Sequence, residues 1–418
     1  MVTAITSMRQ KTPTRSAILG IFLSGFASAA IAPYQTLLAL QTFGLNVETY
    51  SLLLAINSGV AVLVAISIGS LTDRYSQHRV TFLRLSAALG AAAFLLIFLS
   101  RSDYFFAVAF ILILPIPATL PGQNFAILRE QILSLAAERR PFLLATGRAS
   151  SSLAWTMAPA LTAFLLWQGT TLVSLTLVSA ACYGILLFLI SDSANPIRSD
   201  RYGDGTTIKG LLSRTTIAPL LAAGLLDGCL KLYGLIFPLL ITETYAQSVG
   251  MLGLASGGIA LLEIPMIFGW AVLLKRLTNR RVLTIAALIE AIHLLLVPLI
   301  NSPILYYLWL STHVIAASAI MSVSIGYVQE IVRGPGLGSS LITVTGFLGS
   351  MIAATLFAYT MSVVDLHQIP LVAGVLCLVG AAMVSVNWTD FFKSVAASES
   401  SKSPPQLEAD NIETREGI

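Results

Sequence analysis

Charge is what this chain has least of. Asp, Glu, Lys and Arg make up 11% of its 418 residues, against about 25% in an ordinary soluble domain. With 56% hydrophobic residues and a mean hydropathy of +0.84, the chain carries more apolar surface than one globular core can hide, and lipid is the solvent that accepts it. Cysteine is scarce too. Cys182, Cys229 and Cys377 all fall in apolar runs without a C-x-x-C spacing, which excludes a disulfide framework and a thiolate metal site and leaves three small core residues. The four histidines, His78, His293, His313 and His367, are too scattered for an H-x-x-x-H zinc site, so neither a metal nor any other cofactor is expected. The net charge of +4 and pI near 9.0 do not point to nucleic acid, because the basic residues sit in short links between apolar runs.

What the chain has is about twelve apolar segments, each near the ~20 residues that cross ~30 Å of hydrocarbon. In the first half they run approximately Ala17 to Leu40, Tyr50 to Leu71, Thr81 to Ser100, Tyr104 to Ile127, Leu143 to Trp167 and Leu172 to Ile190. In the second they run approximately Ile217 to Ile241, Met251 to Leu274, Val282 to Ile300, Ile304 to Val328, Leu341 to Met361 and Pro370 to Trp388. The predicted class is an all-α, multi-pass membrane protein. Basic residues gather in alternate links: Arg9, Lys11 and Arg15 before span one, Arg74, Arg79 and Arg84 after span two, Arg129, Arg139 and Arg140 after span four, and Lys275, Arg276, Arg280 and Arg281 after span eight. The intervening links carry only Arg101, so both termini are expected in the cytoplasm.

The segment 191–214 is the longest internal polar stretch, with Asn195-Pro196 and Gly203-Asp204-Gly205 as turn formers. It divides the chain into an N-terminal segment 1–16, a first six-span half 17–190, the central linker, a second half 215–390 and a tail 391–418 whose Ser, Glu and Pro content reads as disordered. The halves echo each other. Asp73 precedes Arg79 after span two as Lys275 precedes Arg281 after span eight, the pattern of a duplicated transporter. Ala27-Ser28-Ala29 superficially suggests a cleavage site. The apolar run continues to about Leu40, however, and cleavage would spoil the two-half symmetry, so the segment reads as a first span.

Gly69-Ser70-Leu71-Thr72-Asp73-Arg74, followed by Arg79, resembles the signature loop of the major facilitator superfamily. Within it the chain resembles the bacterial sugar efflux transporter family in Ala32-Pro33, Asn57, Gln123, Arg129-Glu130, Arg148 with Ser152-Leu153-Ala154-Trp155 and Pro159, Leu262-Glu263-Ile264-Pro265, and Gln329-Glu330. It departs from that pattern at Ala158, Ile236 and Val344. The resemblance implies two pseudo-symmetric six-helix halves, a monomer in the cell inner membrane, and efflux of sugars or glycosides driven by proton entry. It also implies that spans one, four, seven and ten line a central cavity, and that Gly69, Asp73, Arg74 and Arg79 form a conformational loop holding the halves together.

Ionisable side chains in a span are costly and face a cavity or a partner. Asp227 and Lys231, four apart in span seven, share a helical face and read either as a responsive charge pair or as a permanent structural one. Glu263 lies beside Pro265, which removes a backbone donor and loosens span eight. Glu263, Asp227 and Lys231 are the proton-coupling candidates. Glu290 and His293 are three apart and read as a mutual structural pair, and Arg148 as a partner for Glu130 or a substrate ligand. Planar polar groups and aromatic faces that suit a sugar are supplied by Tyr34, Gln35, Asn57, Gln123, Trp155, Tyr233 and His313, with Arg148 as the charged candidate. A multidrug or other small-molecule exporter on the same fold is the alternative. An enzyme is not expected, because no convergent nucleophile, metal cluster or phosphate loop is present.

Overall fold

The computed structural model describes residues 2–133, 135, 139–190, 214–331 and 335–388, for some of them the backbone alone. The central linker lies outside the described residues except at Arg214, and the tail lies wholly outside them. Among the described residues, eleven helices are long and apolar enough to cross a bilayer. The twelfth span, fourth in order, is a pair, Asp103–Ile113 and Pro117–Leu133, bent by 45°. The first helix begins at Val2 and runs unbroken into span one, so the described part of segment 1–16 extends that span.

The bend in span four follows from two prolines. A π-turn over Ala109–Ile113 sends the Leu114 N–H to the Ala109 carbonyl (2.9 Å). The next donor in that register would be Pro115, which has none, so the Phe110 carbonyl is left without a helical partner. Asn57 of span two supplies one, its Nδ2 donating to Phe110 O at 2.5 Å. A membrane interior tolerates such a break only where a neighbour satisfies the freed group.

The duplication read from sequence reappears in the backbone. Span one closes with a π-turn over Leu38–Thr42 and span seven with one over Leu240–Thr244. Each is followed by a residue in the left-handed region, Gly44 (φ 66°) and Ala246 (φ 50°). Each is followed in turn by a side-chain N-cap, Asn46 on Thr49 N and Ser248 on Met251 N. Gln41 and Glu243 stand 202 residues apart at equivalent places and meet, Nε2 donating to Oε1 at 3.2 Å. The pairs Asp73 with Lys275 and Arg79 with Arg281 share that offset.

Spans five and eight, and spans two and eleven, pack across the two halves, while seven packs on eleven and nine on twelve within the second half. The cross-half contacts cluster at one end. They include Gln41 with Glu243, the Tyr50 ring edge-on to Phe357 at 6.3 Å, and Gly250, Gly253 and Gly257 of span eight against span five. A Cβ on Gly253 would lie 2.6 Å from the Pro159 carbonyl oxygen and 2.9 Å from Ala163 Cβ, so glycine is what permits the two backbones to meet. Near the middle of spans five and eight, Trp155, Leu261 and Leu262 are exposed. The halves close at the end where the cross-half contacts cluster.

Candidate functional site

A cavity of about 230 Å³ lies inside the first half, where spans one and four are both irregular. Gln35, Asn57, Ser28 and Thr176 give it polar groups, and Phe94, Phe106, Phe110 and Tyr183 give it ring faces. Gln35 Nε2 also donates to the Tyr50 hydroxyl at 3.2 Å, which fixes its carboxamide. The candidates Gln35 and Asn57 are thus brought together. Tyr34 is not with them: it is fully buried, and its hydroxyl accepts from Thr162 Oγ1 at 3.1 Å. Its place at the crossing of spans one, five and eight makes it a packing residue rather than a substrate ligand. Gln123 is half-buried, and Trp155 and Arg148 are exposed on span five.

In the second half, Lys231 Nζ lies 2.7 Å from Asp227 Oδ2, off the direction of a hydrogen bond. Its protons go instead to Gly346 O (2.6 Å) and Ser350 Oγ (2.8 Å) of span eleven. The close approach that allows this comes from glycine on both helices. A Cβ on Gly228 would sit 3.2 Å from Gly349 O, and one on Gly349 would sit 2.9 Å from Asp227 Cβ. The two charged side chains keep 36% and 39% of their surface. A half-exposed pair of charges within a span belongs on a wetted face. Glu263 is half-buried and has no hydrogen bond or ion pair among the described residues, although its charge acts on His313.

Three expectations are corrected here. Glu290 does not pair with His293; it takes His313, whose Nδ1 lies 2.9 and 3.1 Å from its two carboxylate oxygens. His293 goes to Thr312 and to Tyr233. Glu130 takes Arg79, at 2.5 Å, in place of Arg148. Tyr233, expected at the substrate, is buried, with its hydroxyl 2.8 Å from that of Tyr306. Chain proximity suggests the Glu290–His293 pair, whereas the partners come from span ten and, for His293, also from span seven. Of the loop residues, Arg79 starts span three, Arg74 lies over the Tyr75 ring at 5.5 Å, and a Cβ on Gly69 would meet nothing within 4 Å. The Asp73 side chain lies outside what the structure describes.

Two six-span halves related by an internal repeat, meeting at one end and carrying polar groups inside, define a transporter of the major facilitator fold. Its sequence is similar to those of sugar efflux transporters. It is 28% identical over 350 residues, 80% of this chain and 87% of the relative, to a provisionally named sugar efflux transporter of Deinococcus radiodurans. It is 24% identical over 387 residues, 91% and 97% of the two chains, to sugar efflux transporter A of Dickeya chrysanthemi. No family model matches the chain. Among solved structures, a mutant of the nucleoside transporter NupG superimposes with a TM-score of 0.75 at 14% identity, covering 89% of this chain and 98% of that one. A bacterial homologue of the human lysosomal transporter Spinster, inward-facing and unoccupied, superimposes with a TM-score of 0.71 at 14% identity, covering 92% and 98%.

Proposed function

We propose that the chain exports sugars or glycosides across the cell inner membrane by alternating access, driven by proton entry. The cavity carries this reading, since it sets two oriented carboxamides among aromatic faces, the chemistry that holds hydroxyls and the C–H face of a ring. Similarity to two sugar efflux transporters supports the same substrate class. Glu263 is the carboxylate through which protonation would bias the two conformations, Asp227 and Lys231 are the coupling candidates that respond as a charge pair, and Asp73 belongs to the loop that would hold one of the conformations.

Transport into proteoliposomes tests the reading. Labelled glycosides are expected to show saturable flux that responds to a pH gradient, and cationic dyes none. Flux of the dyes without the glycosides would instead favour a multidrug exporter.

Orientation follows from the basic links. The end that carries both termini is the cytoplasmic one in this reading, so the closed end faces outward. A reporter fused after Lys393 is expected to report a cytoplasmic location. A periplasmic signal would overturn both the topology and the side assigned to the closed end.

A further inference from the structure

The second half contains a polar cluster that solute passage alone does not require. Glu290 of span nine is fully buried, and both its carboxylate oxygens face Nδ1 of His313 in span ten. The neighbouring His293 is fully committed elsewhere. Its Nδ1 meets Thr312 Oγ1 at 2.8 Å, its Nε2 meets the Tyr233 hydroxyl at 3.1 Å, and its ring stacks on Trp309. His313, by contrast, has no hydrogen-bond partner for Nε2 among the described residues, and 12% of its side-chain surface remains open. The charged group acting on it from outside the pair is Glu263, the half-buried carboxylate of span eight.

Charge counting gives this arrangement a function. With His313 neutral, the pair holds one buried negative charge, which a low-dielectric interior penalises. With a proton on Nε2 it becomes an imidazolium and a carboxylate of zero net charge, joined by a charge-assisted hydrogen bond. One proton therefore neutralises the cluster without moving a backbone atom. The other titratable groups around Glu290 and His313 are Tyr233 from span seven, His293 on span nine itself, and Cys377 from span twelve with Cys229 behind it. We infer that Glu290 and His313 together form the proton-holding site of this transporter, loaded and unloaded through Glu263.

In the loading step, a proton given up by the Glu263 carboxyl, which becomes a carboxylate, reaches His313 Nε2 through the open side of its ring, the two groups making no direct hydrogen bond in this conformation, while the Nδ1 proton stays directed at Glu290. Unloading reverses the step. Asp227 and Lys231, held on span eleven, are then left as a charge pair of the solute pathway. This inference rests on the reading of the chain as a proton-coupled exporter.

The test uses full-length protein in proteoliposomes with labelled glycoside and an imposed gradient of about one pH unit, which supports about tenfold accumulation if one proton moves per solute. Wild type is expected to accumulate. Glu290→Gln and Glu263→Gln are expected to fall to equal concentrations on both sides while solute exchange continues, since exchange needs no net proton movement. Thr312→Val removes a bond to His293 and leaves the Glu290 pair alone, so it is expected to accumulate. If Glu290→Gln fails to fold, the double change Glu290→Gln with His313→Gln, a neutral pair with no buried charge, takes its place. Accumulation in the Glu290 variants, or its loss in Thr312→Val as well, would overturn the assignment. Failure of wild type to respond to the gradient would instead overturn proton coupling itself, and the assignment with it.

Discussion

Asp227→Asn is expected to yield a folded protein that binds and exchanges solute but no longer concentrates it. The two limits on the cost of removing the carboxylate are about 3–5 kcal/mol for a buried pair and about 0–1 kcal/mol for an exposed one. With 36% and 39% of the two side chains open, this pair lies between them, at about 1–2 kcal/mol. Lys231 also keeps its hydrogen bonds to Gly346 O and Ser350 Oγ, so span seven stays fastened to span eleven. What changes is the net charge of the pathway, from zero to an uncompensated cation in every conformation. That charge is expected to oppose the state in which the halves close around it, and to reduce gradient-driven accumulation about tenfold or more, the effect of about 1.4 kcal/mol on one conformation. Adding Lys231→Met is expected to restore thermal stability without restoring accumulation. Thermal unfolding of the purified variants, with transport measured in parallel, checks both parts. Normal accumulation by Asp227→Asn would make the pair a purely structural clip.

The fold was legible because lipid imposes it. Hydropathy alone separates the spans, and the 202-residue offset that relates Asp73 to Lys275 also relates Gln41 to Glu243, which touch. The Asp227–Lys231 pair was legible because both residues lie on one helix, where a four-residue spacing fixes a shared face. The Glu290 partner was not. Helical spacing correctly puts Glu290 and His293 on the same side of span nine, but what that side meets is decided by span ten, where His313 and Thr312 happen to be adjacent. The same limit explains Glu130, whose partner Arg79 is 51 residues away, and Tyr34 and Tyr233, whose burial depends on neighbouring spans. Pro115 and Pro117 stand in span four, but hydropathy passes over them and reads a continuous segment. The orphaned Phe110 carbonyl that Asn57 answers required the π-turn to be seen.

Gly253→Val is expected to shift the conformational equilibrium away from the state described here. In this state Gly253 of span eight presses on the Pro159 carbonyl, on Ala163 of span five and on the hydroxyl of Tyr34 in span one. Tyr34 cannot move aside freely, because it is fully buried and holds Thr162. Overpacking such a contact costs about 1–3 kcal/mol. Because the contact joins the two halves, the cost falls on the state in which this end is closed, and the ratio of open to closed changes by about 5- to 150-fold. Solute transport needs both states, so its rate is expected to fall whichever direction is driven. Spin labels on Gln41→Cys and Glu243→Cys read the change directly, since those side chains meet when this end is closed. The three native cysteines are buried and free, so they are replaced first and the label pair is compared with and without Gly253→Val. The distance distribution is expected to move to longer values in the valine variant. An unchanged short distance in a folded, slow transporter would mean that the packing of spans five and eight is not what closes this end, and would shift that role to the contact between Tyr50 and Phe357.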